Sequence, residues 1–287
     1  MDRLKKLVRR RKAAWLVIPA AFLTVVITAF TVLNTFRESL GYLPELSLYA
    51  LDLSNYAELF ENTVFLNSLW YSFYVAVSST LLCLVLGLML GYLISGIQSP
   101  IIHMLYRLPI VLSYVAAGLL IYTTLSDYGV LYHLLDWMGI QTNGLNILFH
   151  PSGSGVILLN CFKGIPFMAM STAPVFFRAL HQFPVTAMNL GASKFQIMLR
   201  IILPLVKRSA LTSALVLFNY QMFSYEGFYY LGASTPVSLG VLAYQSYLTS
   251  DLRNRAACMA INSIMIGISL ATSFLYVRAM RKDAVIS

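Results

Sequence analysis

Charged residues are scarce in this 287-residue chain, where Asp, Glu, Lys and Arg together account for only 11% of the sequence. Soluble globular domains carry about 25%. Acidic residues are the scarcer kind, 11 against 20 basic ones, while hydrophobic residues reach 59%. Because apolar stretches of about 20 residues cross a bilayer as helices, this composition excludes an ordinary soluble domain and predicts an integral membrane protein.

Motifs for metal, redox and nucleotide chemistry are also missing. Cys83, Cys161 and Cys258 lie inside or beside apolar stretches without metal-ligand or redox spacing, which indicates packing residues. The four histidines are scattered without ligand spacing, so no metal site is predicted. No G-x-x-x-x-G-K-S/T stretch occurs, and the phosphate-binding loop of the corresponding ATP hydrolases is therefore absent. We expect no catalytic residue and no enzyme activity in this chain.

Six apolar stretches are long enough to cross a membrane. Their predicted bounds are 13–33, 65–94, 104–125, 155–177, 209–230 and 259–280. The intervening segments are too short to form a separate domain, so residues 1–287 are predicted to form a single, all-α transmembrane domain. In the second span Gly87 and Gly91 are four residues apart, which lets another helix approach closely. Two incidental glycines explain that spacing equally well.

Basic residues concentrate on one side of the predicted spans. Four segments hold 16 of the 20 Lys and Arg residues: the N-terminal leader, the turn that ends at Arg107, segment 178–208 and the C-terminal tail. The positive-inside rule therefore predicts that both termini and segment 178–208 face the cytoplasm. The net charge of +9 is interpreted as a topology signal, helped by anionic lipid, and no nucleic-acid partner is expected.

The basic segment between the fourth and fifth predicted spans has a regular pattern. The run "VTAMNL" predicts a short helix, Gly191 a turn, and "SKFQIMLRIILPL" a second amphipathic helix that bends into the next span at Pro204. A rigid helix–turn–helix at the membrane face can transmit force to a cytoplasmic partner. An interfacial helix anchored by Lys and Arg fits the periodicity equally well.

This pattern resembles the loop of the permease subunits of binding-protein-dependent ABC importers, written EAA, three residues, G, nine residues, I-x-L-P. The matching positions are Val185, Thr186, Ala187, Gly191, Ala192, Ile201, Leu203 and Pro204. Both the glycine-to-proline spacing and the place between the fourth and fifth spans agree with the family. The stretches "FKGIPFMAM" and "FSYEGFYYLGASTPVSLGVL" are similar to further family segments.

The resemblance implies the six-helix fold of a type I ABC importer permease in the bacterial cytoplasmic (inner) membrane. It implies two cytoplasmic ATPase subunits that use ATP and Mg, a second permease subunit, expected to form a heterodimer, and an extracytoplasmic solute-binding protein. No cofactor is expected in this chain itself. ATP-driven closure of the ATPases would push on residues 185–204 and rock the helices between two orientations.

One departure from the family pattern bears on coupling. Val185 and Leu190 occupy positions where the family has acidic residues. Docking onto the ATPase is therefore expected to depend on apolar contact, or the second permease carries the acid. Equal roles for the two permeases are in doubt.

Polar residues inside the spans mark the candidate solute pathway, because such residues are costly in a membrane. They are Asn160 and Lys163 in the fourth span, with Asn219 and Glu226 on one predicted face of the fifth, which also carries Phe223. Lys163 and Glu226 would form either a structural ion pair or an outer gate. A polyamine-like solute is preferred, with a sugar-like solute close behind. The alternative is an ion- or proton-coupled secondary transporter or channel subunit that uses the two charges as a relay.

Overall fold

The computed structural model describes residues 2–42, 44, 52–126, 129–139, 147–182, 188, 191–249 and 254–285. Within these ranges the regular structure is helical. The helices are α1 (Asp2–Ser39), α2 (Ser54–Glu61), α3 (Thr63–Ser95), α4 (Pro100–Leu105), α5 (Leu108–Val111), α6 (Tyr114–Leu125), α7 (Val130–Trp137), α8 (Ser154–Gln182), α9 (Lys194–Ile197), α10 (Leu203–Phe223), α11 (Glu226–Leu231), α12 (Leu239–Leu248) and α13 (Asn254–Val285), with a π-helical turn at Met198–Ile202 between α9 and α10.

Five helical stretches in the described part of the chain are long and apolar enough to span a membrane. They are Ile18–Ser39, Thr63–Ser95, Ser154–Gln182, Lys194–Phe223 and Arg255–Arg278. A sixth is provided by Pro100–Val111 and Tyr114–Trp137 if this pair, bent by 100°, counts as one span.

Two of the predicted spans are not continuous helices. Inside 104–125, Leu112 is extended, and a new helix begins where the Ser113 side chain accepts a hydrogen bond from the Ala116 amide. Pro109, which has no N–H, stands in the first turn of the short α5. Inside 209–230, α10 ends at Phe223 and Ser224 is extended, with ψ 136°. The prediction of unbroken helices at these two places is therefore wrong.

The chain forms two compact units, residues 1–61 with 245–267 and residues 62–244 with 268–287. In the first unit the Arg255 guanidinium contacts the Glu38 carboxylate, with 3.0 Å between Nε and Oε2. The Ser39 and Tyr56 hydroxyls are hydrogen-bonded at 2.7 Å, which connects the end of α1 to α2.

The core of the second unit is the contact between α3 and α8, which run parallel. A Cβ added to Gly87 would lie 2.5 Å from the Met168 Cβ, and one added to Gly91 would lie 2.5 Å from the Thr172 Oγ1. Only glycine permits so close an approach, which confirms the prediction drawn from the four-residue spacing.

Helix α10 packs antiparallel against this pair. At its middle Ser213 donates to Ser171 on α8, and near its end Gln221 accepts a hydrogen bond from Ser79 on α3. The second unit therefore has two ends. The Thr63 end holds the beginnings of α3 and α8 and the end of α10, and the Gly191 end holds the opposite termini together with residues 191–204.

Candidate functional site

The predicted coupling loop begins with Val185, Thr186 and Ala187, which lie outside the described residues. Gly191 is described, and its φ of +81° belongs to the left-handed region that favours glycine. Its amide donates to the Met188 carbonyl at 2.9 Å. The predicted turn at Gly191 is therefore confirmed.

Helix α9 starts from a capping box directly after this turn. The Ser193 hydroxyl accepts a hydrogen bond from the Gln196 amide at 3.3 Å, and the Gln196 side chain accepts one from the Ser193 amide at 2.9 Å. This S-x-x-Q pattern is a sequence signature of a helix start, and it is the signal that predicts where α9 begins.

From Lys194 onward the helical run continues through the π turn into α10, up to Phe223. The amide of Leu203 donates to the carbonyl of Met198, five residues earlier, which is the π-helical bond. Pro204 follows and has no N–H to give to the carbonyl four residues before it, so a local change of helix pitch is expected there. The predicted bend at Pro204 is a π turn within one continuous stretch.

The two faces of this stretch differ in burial. Ile197, Ile202 and Val206 are buried in a cluster that includes residues of α8, and Ala192 and Ile201 are partly buried against it. The opposite face exposes apolar side chains, with Phe195 72% exposed, Leu199 46% and Leu203 41%. Pro204 is also exposed. The predicted coupling residues thus divide between an anchored face and an exposed apolar face.

Asn160, predicted to line the pathway, lies fully buried where α3, α8 and α10 meet. Its Nδ2 is 3.5 Å from the Ser79 hydroxyl, which itself donates to the Gln221 Oε1 at 2.8 Å. The Thr80 hydroxyl donates to the same Gln221 oxygen at 3.0 Å. These contacts form a buried amide cluster that ties three helices together, and Gln221, its central residue, was not among the predicted site residues.

Lys163 is half-buried on α8, and its side chain contacts the backbone where the third predicted span is interrupted. Its ammonium donates to the carbonyls of Pro109, at 3.2 Å, and Leu112. The same ammonium lies 4.9 Å from the centre of the Tyr114 ring. A cation at the C-terminal carbonyls of a short helix is favourable, so Lys163 links α8 to α5 and α6.

Glu226 lies in the first turn of α11, and its carboxylate is close enough to the Tyr220 hydroxyl to interact with it electrostatically. The Tyr220 ring packs at a tilt of 38° against that of Tyr114, with 4.9 Å between ring centroids. Lys163 and Glu226 are close enough to interact electrostatically, but they do not form a direct ion pair. The predicted pair is therefore replaced by a chain of four side chains, Lys163, Tyr114, Tyr220 and Glu226, which we call the tyrosine–glutamate chain.

Asn219 and Phe223 do not share a helical face with Glu226, because α10 ends at Phe223 and α11 begins after the extended Ser224. The Asn219 side chain accepts a hydrogen bond from Thr272 on α13 at 3.1 Å. Phe223 is half-buried at the last position of α10. The single face predicted from helical periodicity is therefore wrong.

Aromatic rings extend the tyrosine–glutamate chain at the Thr63 end. Tyr225 stacks on Tyr229, with 5.0 Å between ring centroids, and packs at a tilt of 50° against Tyr244, with 4.6 Å between centroids. Among the residues that the structure describes, no group of three or more His, Cys, Asp or Glu side chains could hold a metal ion. The chemistry of this region is therefore that of aromatic faces and one carboxylate.

Comparison with known proteins identifies the family. No family model matches the chain. The spermidine/putrescine transport system permease protein PotB of Salmonella typhimurium (strain SL1344) is 30% identical over 237 residues, which cover 80% of this chain and 79% of PotB. The chain belongs to the permease family of binding-protein-dependent ABC importers.

Further relatives of the permease include a second PotB and a sulfate permease. PotB of Escherichia coli (strain K12) is 29% identical over 237 residues, or 80% of this chain and 82% of that protein. The sulfate transport system permease protein CysW of the same strain is 31% identical over 157 residues, which cover 54% of this chain and 51% of CysW.

Solved structures of low sequence identity share the fold of the permease. A bacterial ABC transporter involved in the import of the acidic polysaccharide alginate superposes with a TM-score of 0.70 at 18% identity, over 96% of this chain and 99% of that one. The MetNI methionine ABC transporter superposes with a TM-score of 0.53 at 15% sequence identity, over 76% of this chain and 94% of that one. The type I importer fold predicted from the sequence is thereby confirmed.

The permease is a multi-pass inner-membrane protein and a transport subunit of an ABC importer, as the resemblance implied. Membership of this family replaces the alternative of a secondary transporter or channel subunit.

Proposed function

We propose that segment 185–204 is the surface through which cytoplasmic ATPase subunits drive this permease. The supporting observation is the exposed apolar face formed by Phe195 and Leu199, which are 72% and 46% exposed, and Met188, which precedes the Gly191 turn, is 45% exposed as well. Exposed basic side chains, Lys194 and Arg200, flank it. In this proposal both termini and the Gly191 end face the cytoplasm, in line with the positive-inside rule.

Force applied at Phe195 reaches the membrane because the helical run from Lys194 to Phe223 is continuous. The opposite face of the same run is held by Ile197 and Ile202, which are 4% and 2% exposed. A push on the exposed face therefore moves α10 and the helices packed on it together. ATP and Mg bind the partner ATPases in this scheme, and this chain hydrolyses no ATP itself.

The proposed assembly also contains a second permease subunit and a solute-binding protein, as membership of the ABC importer permease family implies. One related structure is described as an alginate ABC transporter in complex with an alginate pentasaccharide-bound periplasmic protein. Residues 1–287 act as one transmembrane domain in this assembly. A heterodimer is proposed because Val185 replaces the family's acid, which the second permease then supplies.

Co-purification of the ATPases tests the coupling surface. Burial of one Phe side chain contributes about 1.5–3 kcal/mol to docking. Phe195→Ser should therefore weaken ATPase retention in mild detergent by at least about ten-fold. Val216→Ser is the matched control, since Val216 is 50% exposed on α10 but distant from Gly191. Full ATPase retention by Phe195→Ser would contradict the proposed surface.

The proposed solute is a polyamine-like cation. PotB, the relative of highest coverage described above, is a spermidine/putrescine permease. The tyrosine–glutamate chain supports the same class, because its Lys163 ammonium is taken up by the carbonyls of Pro109 and Leu112. The remaining groups are the Glu226 carboxylate and tyrosine rings, which attract a cation and repel an anion such as sulfate.

Uptake by the reconstituted importer, with its ATPases and binding protein, tests the solute. Labelled spermidine should enter in an ATP-dependent manner, while sulfate and maltose should not. Glu226→Gln should lower spermidine uptake about five-fold or more, because an opposite charge near 4 Å contributes at least about 1 kcal/mol even in water. Tyr229→Phe keeps the ring and serves as a control. ATP-dependent entry of maltose or sulfate instead of spermidine would overturn the assignment.

A further inference from the structure

A cavity of about 590 Å³ lies at the Thr63 end, between the first three turns of α3 and residues 235–237. Val64 and Tyr74 mark its limits on α3. Ten residues of helix separate them, which corresponds to a length of about 15 Å. This cavity belongs entirely to the second unit and is distinct from the tyrosine–glutamate chain.

An accessible polar group of this cavity is the exposed side-chain amide of Asn67. Ser68 and Tyr71 also belong to the lining, but their hydroxyl oxygens are enclosed by the protein and have no hydrogen-bond partner among the described atoms. A molecule in the cavity therefore finds a hydrogen-bond acceptor at Asn67 rather than at these two oxygens.

Aromatic rings form much of the remaining wall. Trp70 and Tyr74 are 70% and 44% exposed, and the Tyr71 ring is held edge-on by Phe228 with 5.6 Å between centroids. The side chains found to line the cavity include no Lys, Arg, Asp or Glu. An inorganic anion therefore meets no positive partner here. An organic ammonium group meets the negative faces of the Trp70 and Tyr74 rings, and its N–H groups can donate to the exposed amide oxygen of Asn67.

We infer that this cavity binds a primary alkylammonium group and holds a polyamine-like solute before it reaches the tyrosine–glutamate chain. The inference rests on the proposed function for the class of solute. The cavity lies at the end of the second unit opposite to residues 191–204, so a solute released on the side away from the ATPases meets it first. Its length along α3 suits a linear amine that lies parallel to the helix.

Protection of an engineered thiol tests this site directly. Asn67→Cys places a thiol in the cavity, and Leu66→Cys, 42% exposed but outside the lining, is the matched control. The native cysteines are buried, so wild-type protein gives the background labelling rate. In the complete importer in nanodiscs, spermidine or propylamine at ten times its dissociation constant should slow maleimide labelling of Asn67→Cys about ten-fold by occupancy. Labelling of Leu66→Cys should not change.

A second variant separates ligand binding from a general change of conformation. Trp70→Ala, added to Asn67→Cys, should weaken protection by spermidine about ten-fold, because one aromatic face is lost. Protection by maltose or sulfate at the same concentration, equal protection at both thiols, or no protection would each overturn the inference.

Failure of this site and failure of the proposed function have different signatures. The labelling assay needs neither ATP nor the binding protein, whereas uptake needs both. Spermidine uptake without protection of Asn67→Cys refutes the cavity and leaves the function standing. Protection without uptake of spermidine supports the cavity and refutes the proposed function.

Discussion

Replacement of Lys163 by methionine separates a structural role from a solute-binding role. The Lys163 ammonium donates to the carbonyls of Pro109 and Leu112, at the break between α5 and α6, and lies over the Tyr114 ring. Methionine keeps most of the apolar stem but has no donor and no charge. Lys163→Met therefore leaves two carbonyls without their partner while it preserves packing.

The expected loss follows from these contacts. Hydrogen bonds to charged groups contribute about 1.5–3 kcal/mol each, and a partly exposed cation–π contact contributes about 0.5–1 kcal/mol. Because Lys163 is only half-buried, water replaces part of the interaction, and a net loss of about 2 kcal/mol is reasonable. For a chain of this size the thermal midpoint should fall by about 4–8 °C.

Thermal unfolding of the purified permease in detergent, at one fixed scan rate, measures this loss. Lys163→Arg should retain most of the stability, since a guanidinium also donates to carbonyls. Lys194→Met, which removes an exposed lysine, should change the free energy of unfolding by less than about 0.5 kcal/mol. If Lys163→Met leaves the midpoint unchanged but lowers solute uptake, the structural role is refuted and a direct role in the pathway is supported.

Three further predictions concern packing and charge. Gly91→Val should prevent correct assembly, because its Cβ would lie 2.5 Å from a hydroxyl oxygen of α8. Size-exclusion chromatography measures this effect. Gly267→Val is the control and should behave as wild type, since a Cβ at Gly267 would have no neighbour within 4 Å. Gln221→Leu should lower the thermal midpoint by the equivalent of about 1–3 kcal/mol, because two hydroxyls of α3 lose a buried acceptor; an unchanged midpoint would argue against the buried amide cluster. Hydrogen bonds from Ser54 hold the pKa of the Asp52 carboxyl below its usual 3.8, so the protection of amides at the start of α2, measured as exchange relative to the intrinsic rate at each pH, should stay constant from neutral pH down to that value and fall only below it.

The helices and the turn at Gly191 follow from local information. Apolar length predicts the spans, and glycine next to small residues predicts a turn, because both signals depend on neighbours in the chain. The approach of α3 to α8 was also predictable from Gly87 and Gly91, although the sequence did not say which helix would fill the space. Parallel packing of α8 along that groove emerges only in the folded protein.

Helix breaks and buried contacts were harder to predict for physical reasons. Hydropathy averaged over the length of a span does not reveal single residues such as Pro109 and Ser113, although a proline followed by a serine cap is a recognisable signal of a helix break. The break at Ser224 has no glycine or proline to mark it. The contact between Ser79 and Gln221 joins residues 142 positions apart, and no local pattern specifies such a pair.

The arrangement of close contacts and breaks restricts how this permease can change shape. Backbones of α3 and α8 meet at Gly87 and Gly91, and the buried amide cluster ties α10 to both, so these helices cannot slide without clashes or loss of buried hydrogen bonds. When force acts at residues 191–204, motion of the three helices as one rigid body breaks the fewest of these contacts. Movement of other segments relative to these three helices then requires backbone rotation where helical hydrogen bonding is already interrupted, at Leu112 and Ser224. Lys163 and Glu226 lie beside these two interruptions, which explains why charged side chains inside the spans occur there.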